Sequence, residues 1–307
     1  VDSNGINCHG FFPHYDPKRR MPDHTDIEQI VFKNAVLLYE NRGDNRGYEW
    51  VIDSIKTGID VFPHYVLFDP QITAELKYMF EEDLRFLEDI PVKIGAQFSM
   101  LKEERALDIH SLDLLVAGNN RFFVQGRFPA STKQYYNLTF QAPEGDIGAL
   151  LEILPDATAN RIEDFDPKGK FAFSGLLEGE DTDTDNPNFS LDFETEEGAR
   201  NASVFRAKLS RLRRHGRYTN GEDQDATSTK VKLNEVRGNL NGRPFYATLA
   251  LSRLDNPYIS TTLNASVNLN DLPRIQQIPV RKQPTGLVYV DVAFAGLIDH
   301  VKRRNTI

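Results

Sequence analysis

The chain has 307 residues, of which 40% are hydrophobic and 26% charged, an ordinary balance for a folded protein that excludes pervasive disorder. Its formal charge of −9 argues against nucleic-acid partners, because phosphate recognition rests on a basic surface that releases counterions. The single cysteine, Cys8, forms no internal disulfide and leaves the redox compartment open. No apolar run is long enough to span a bilayer, and no signal-like start is present. The sequence opens at Val1 rather than Met, which suggests an internal segment or a processed chain with any export signal outside it.

Residues 1–26, rich in Pro, His, Asp and Arg, read as an irregular lead-in. Cys8, His9 and His14 raise the question of a metal site, but a fourth ligand at zinc-site spacing is missing. A surface loop is the better reading, and no cofactor is expected. From Ile27 an apolar rhythm begins: Ile30 to Leu38 and Trp50 to Val61 form a predicted hairpin around the polar turn 41–47. Ile72, Ala74, Leu76, Tyr78 and Phe80 alternate as in a strand, and residues 80–88 read as a loop with some helical character. Val92 to Met100, Ile109 to Val116, Arg121 to Phe128 and Tyr136 to Ala142 are further strands. With no helices between them they form an antiparallel meander rather than βαβ units. The period then changes. Ile147, Leu150, Leu151 and Leu154, with Asp146 as N-cap, predict a helix over 146–154, and residues 161–165 add a further turn or two.

Strands resume over Gly169 to Leu177, Phe189 to Phe193, Val204 to Leu212 and Val231 to Leu233, leading into the stretch 236–272. There Phe245, Ala247, Leu249 and Leu251 alternate with polar residues, as do Ile259, Leu263, Ala265, Val267 and Leu269. Successive strand side chains point to opposite faces, so this is a sheet that is apolar on one side only. Asn241-Gly242 supplies the positive-φ residues of a tight hairpin, and Asp255-Asn256-Pro257 a second turn. Val288, Val290, Val292 and Phe294 begin one more strand. The fold class is mainly β: a long antiparallel meander forming an extended, twisted, groove-like sheet with one or two short helices. The expected organisation is an irregular segment 1–26, a first sheet unit 27–144, a short helical insertion 145–166, and a second sheet unit 167–307 that continues past the last residue.

Two portions echo one another. Gly118-Asn-Asn-Arg-Phe122, the strand Tyr136 to Ala142 and the acidic start at Asp146 recur as Gly242-Arg-Pro-Phe245, Ile259 to Leu269 and Asp271-Leu272. Phe173-Ser-Gly175-Leu176 recurs as Phe294-Ala-Gly296-Leu297. Offsets all near ~120 residues argue for duplicated units and an extended architecture.

The segment LNGRPFYATLALSRLDNPYISTTLNASVNLNDL, with Leu150-Leu151-Glu-Ile-Leu154-Pro155 and Gly169 to Gly179, resembles the AsmA family of bacterial envelope proteins. The resemblance covers roughly Ile27 to Leu297. It implies a periplasmic β-sheet groove held to the inner membrane by an anchor outside this chain. It also implies similarity to bridge-like lipid-transfer proteins, a role in phospholipid transport or outer-membrane assembly, and envelope proteins as further partners. Under this reading the chain is not an enzyme. Phospholipid acyl chains line up along Phe171, Phe173, Phe245, Leu249, Leu251, Leu263, Val267 and Leu269. The alternative is an interaction module in which a second sheet covers the same face as a closed sandwich.

Searches for chemistry are consistent with a non-enzymatic chain. No nucleophile elbow, P-loop, zincin or dinucleotide fingerprint occurs, and His64, His110, His215 and His300 are scattered. Asp181, Asp183, Asp185 and Asp192 are spaced like a calcium loop, but Asn186 replaces its glycine and the closing ligand is not Glu, so a solvated acidic loop fits better. Arg206, Lys208, Arg211, Arg213, Arg214 and Arg217 form one basic cluster, either meeting anionic headgroups or forming a solvated strand face and loop. The glycosylation sequons at Asn137, Asn188, Asn201 and Asn264 carry no meaning in a bacterial protein.

Overall fold

The period of two that runs through the sequence is realised as strand. The computed structural model describes residues 24–297 except 42, 44, 82–83, 87, 105, 119, 130–134, 152–168, 181, 183–185, 198–199, 203–206 and 272–284. The strands of the first half are β1 (Thr25–Asn41), β2 (Arg46–Val61), β3 (Tyr65–Phe68), β4 (Gln71–Glu81), β5 (Leu84–Phe86), β6 (Ile90–Leu101), β7 (Ala106–Val116), β8 (Asn120–Pro129) and β9 (Tyr135–Asp146), followed by helix α1 (Ile147–Leu151). Then come β10 (Lys170–Glu180), β11 (Asn188–Glu197), β12 (Arg200–Ala202), β13 (Ala207–Thr219), β14 (Lys230–Leu240), β15 (Arg243–Ser252), β16 (Tyr258–Asn268), a 3-10 turn (Leu269–Asp271) and β17 (Leu287–Leu297).

All belong to one antiparallel sheet in which neighbours in sequence are neighbours in space. Three short strands interrupt that order, β5 being paired with β4 while β4 itself pairs with β6. β3 and β4 share the place between β2 and β6, and the short β12 lies beside β13 where β11 ends. The expected first and second sheet units are hydrogen-bonded to each other, because β10 pairs with β9 from Lys170–Asp146 to Glu180–Tyr135. The sheet therefore runs through the helical turn without a break. Among the described residues β1 and β17 are its two edges, each paired along one side.

Two expectations need correction, and a third is covered only in part by the described residues. Residues 80–88 contain no helix among the described positions. Leu84–Phe86 instead folds back on Met79–Glu81 as a short hairpin, because ladder pairing satisfies backbone groups that one isolated helical turn would leave open. The helix expected over 146–154 is described only as the five residues of α1. Asp146 caps it as expected, its Oδ1 accepting from the Ala149 N–H at 2.9 Å. The second turn expected at 161–165, like Cys8, His9 and His14, lies outside the described residues. Finally, the closed sandwich is not formed by the described residues: they make one layer, not two.

The internal repeat is structural. β7-β8-β9-α1-β10 and β14-β15-β16-turn-β17 follow the same path. Both copies turn through left-handed residues: Asn241-Gly242 (φ 49° and 82°) is a two-residue hairpin between Leu240 and Arg243, both centres left-handed as a type I′ turn requires, and Ala117-Gly118 (φ 47° and 77°) repeats that conformation in a link one residue longer, between Val116 and Asn120. After the third strand of each copy the chain returns through a matching bond, Ile147 N–H to Gly169 C=O at 2.9 Å and Leu269 N–H to Gly286 C=O at 3.0 Å.

Candidate functional site: an uncovered apolar face

Strand registers show which side chains share a face. One rung crosses eleven strands as Ala96, Leu112, Val124, Phe140, Gly175, Leu191, Tyr218, Val231, Leu251, Ile259 and Gly296. The rung beside it, on the opposite face, reads Gly95, Asp113, Phe123, Gln141, Ser174, Asp192, Arg217, Lys232, Ala250, Ser260 and Ala295. At about 4.8 Å per strand, the apolar rung extends for roughly 48 Å. The one-sidedness read from residues 245–269 thus holds across most of the sheet.

Seven of the eight expected lining residues stand on this face. Phe173 is in register with Leu249 through Phe193, Gly216 and Leu233, and Phe171 with Leu263 through Thr195, Arg214, Val236 and Ala247. Phe245, Leu251 and Val267 continue the same rows. Leu269 is the exception. The strand ends at Asn268, and Leu269 opens the 3-10 turn, where its amide is held by Gly286, so it closes the row's end rather than lining it. Residues the expectation left out fill the middle of the face: Phe140, Leu191, Phe193, Tyr218, Leu233 and Val236. In the first half Leu76, Ile90 and Val92 form its best-buried cluster, flanked by Tyr48, Trp50, Ile94, Leu114 and Val116. The signal that finds them is the same alternation, once the registers join the strands.

Packing on this face pairs large with small. Phe171, Phe140, Phe193 and Phe245 each lie across a glycine of the neighbouring strand, respectively Gly145, Gly175, Gly216 and Gly238. A methyl group on Gly216 would come within 2.6 Å of the Phe193 ring, and one on Gly145 or Gly175 closer still to Phe171 or Phe140. Rings laid flat this way reach a second strand. Phe140 on β9 stacks on Phe189 of β11 at 5.6 Å, and Phe122 on β8 meets Phe173 of β10 at 6.0 Å. Asn120 seals the end of this cluster, fully buried, its Oδ1 accepting from the Asp146 N–H at 2.8 Å.

Nothing among the described residues lies over the face. Leu263, in an interior strand, is 37% exposed, and Phe294 is 41% exposed, whereas side chains between packed sheets would be closed off from water. The opposite face is polar and ion-paired. Arg121 forks onto Asp113, with Nε to Oδ1 at 2.7 Å, and holds that carboxyl below its usual range. Arg213 donates to Glu196 at 2.8 Å, and Arg217 lies 3.9 Å from Asp192. The basic cluster is therefore split. Arg213 and Arg217 meet carboxylates on the polar face, Arg214 falls in an apolar row, and Arg206 lies outside the described residues. No group of three or more His, Cys, Asp or Glu is placed to hold a metal among the described residues, and of the acidic loop Asp181, Asp183 and Asp185 lie outside them. No described helix is long and apolar enough to cross a membrane.

Compared with protein-family models, curated proteins and solved structures, the chain matches none.

Proposed function

We propose that this chain is an AsmA-like, non-enzymatic segment of a bacterial envelope protein that binds lipid acyl chains along its apolar sheet face, in support of phospholipid transport or outer-membrane assembly. The observation that carries the reading is the face defined by the rung from Ala96 to Gly296, apolar in every strand that rung crosses, and open to solvent two rows away on the same face at Leu263. Soluble chains rarely leave so long an apolar surface without an occupant. Acyl chains suit it because burial at about 0.8 kcal/mol per CH₂ gives affinity without a dedicated polar pocket. The same reading sets the chain in the periplasm, tethered to the inner membrane through an anchor outside this sequence, with other envelope proteins as further partners.

The test is organic extraction and mass spectrometry of the purified chain, with a photocrosslinking residue at Val267 and, as control, at Ser266 on the opposite face. Co-purifying phospholipid that crosslinks from Val267 and not from Ser266 supports the proposal. No extractable lipid together with no crosslink from Val267 sinks it.

A further inference from the structure

The polar face carries a second feature, which the lipid reading does not use. A hollow of ≈ 590 Å³ opens over β7–β11, and another of ≈ 810 Å³ over β14–β17, both within the range of small-ligand sites. A row of paired residues runs through each: Asp113, Phe123, Gln141, Ser174 and Asp192 in the first, Arg237, Tyr246, Asn264 and Asp291 in the second. The two rows sit at matching places in the repeat. Both put an aromatic ring on the second strand and a side-chain amide beside it on the third. In both a guanidinium packs on that ring, Arg121 at 5.3 Å from Phe123 and Arg237 at 5.7 Å from Tyr246.

This is an unusual composition for a solvated strand face. Each row holds a ring, a carboxamide and a carboxylate, and a guanidinium packs on the ring, from within the row at Arg237 and from the adjacent row at Arg121; together they offer a flat apolar surface with donors and acceptors of both kinds. A free phosphate would use the guanidinium alone, and an acyl chain would strand the polar groups. A sugar ring uses all of them: its C–H face rests on an aromatic ring, while its hydroxyls both donate and accept. An acetamido substituent adds an N–H and a C=O that a side-chain carboxamide matches group for group.

We propose that these rows are two equivalent saccharide-binding sites, one per repeat, that hold an N-acetylated amino-sugar chain on the polar face. The proposal is independent of what occupies the apolar face. The probe is a tetramer of β-1,4-linked N-acetylglucosamine titrated into the intact chain by calorimetry. The expected stoichiometry is two sites, falling to one in Tyr246→Ala and to none in Phe123→Ala/Tyr246→Ala. The near-isosteric pair Gln141→Glu/Asn264→Asp removes the amide donors with little change of shape, and weakens both sites about tenfold, a loss on the scale of one hydrogen bond to a neutral ligand. Absence of binding by the parent chain, or isotherms unchanged in both double variants, overturns the proposal.

Discussion

The two copies of the repeat solve the same packing problem differently. Between β9 and β10 the cross-strand pairs on the apolar face are Gly145–Phe171, Ala142–Phe173 and Phe140–Gly175. At the matching places between β16 and β17 they are Val267–Val288, Ala265–Val290 and Leu263–Val292. Large against small gives a ring lying flat over its neighbour, and Phe171 and Ala142 are 8% and 0% exposed. Middle-sized against middle-sized leaves side chains standing upright with their tops in water, and Leu263 and Val292 are 37% and 47% exposed. Val292 is on an edge strand, but Leu263 is not, so pairing style as well as position opens the second copy. One sheet can therefore be sealed by its own rings in one region and left wettable, and able to bind, in another.

The sharpest way to break this comparison is to convert one style into the other. Gly175→Val puts branched carbons where the Phe140 ring lies, and the expected loss is about 1–3 kcal/mol, the usual range for overpacking. Adding Phe140→Leu recreates the Leu263–Val292 pair and should recover much of it. A coupling of about 1–2 kcal/mol is expected for residues in direct contact, read from urea midpoints of the four chains in the cycle. Strictly additive losses would mean that ring-over-glycine packing is not what seals the first copy. The reverse pair, Leu263→Phe/Val292→Gly, should close the second copy and lower lipid crosslinking from Val267.

The alternation that defines these faces was legible in the sequence, and so were the Asn241-Gly242 hairpin turn and the repeat. Phe245, Leu249, Leu251, Leu263 and Val267 could be assigned to one row because they lie in adjacent strands joined by recognisable turns. The link from Phe173 to Leu249 was not legible. It passes through β11, β13 and β14, and β13 and β14 shift register twice, between Ser210 and Arg213 and between His215 and Gly216. Each such bulge inserts one residue and inverts the simple count of odd and even positions across the ladder, whereas it is by plain alternation along β13 that Arg214 stands in an apolar row and Arg213 and Arg217 do not. The glycines opposite phenylalanines were equally hidden, because a cross-strand pair has no fixed spacing in sequence. Leu269 continued the alternation but lay past the last ladder pair, where the returning chain at Gly286 takes its amide.

A smaller effect on stability separates the regions by function. Leu263→Thr introduces a β-branched side chain, a shape a strand accepts, but removes apolar area from a partly exposed site, so less than about 1 kcal/mol should be lost. Extractable lipid should nonetheless drop, whereas the same change at Ile55 in the first half should leave it nearly unchanged. Equal lipid losses from the two substitutions would show that the whole face binds evenly and that the open second copy has no special part.

The smallest expected effect lies in the connections. In the second copy β13 and β14 are joined through residues 220–229, a loop organised by Asp225, whose Oδ1 accepts from the Thr227 hydroxyl at 2.7 Å, the Thr227 N–H at 2.8 Å and the Ser228 N–H at 3.0 Å. The Leu254 N–H donates to Ala226 C=O at 2.7 Å and ties the loop to the next hairpin. The Thr227 hydroxyl first, then the Ser228 amide, hold the Asp225 carboxyl below its ordinary value of 3.8. A carboxyl whose folded value is depressed contributes stability that is present above the unfolded value and is lost as pH falls through the folded one. Acidification between about pH 5 and pH 2 should therefore loosen residues 225–229 locally, seen as falling amide protection at Thr227 and Ser228 after correction for intrinsic exchange. The shorter link from β6 to β7 in the first copy, where the Lys102 N–H donates to His64 C=O, has no such carboxylate cap among its described residues and should keep its protection over the same range. Asp225→Asn, which cannot ionise, should give a loop that is looser at neutral pH and no longer responds to acid. An Asp225 that titrates at or above 3.8, or a variant that still responds, would show that the loop is held by its backbone contacts to Ala226 alone.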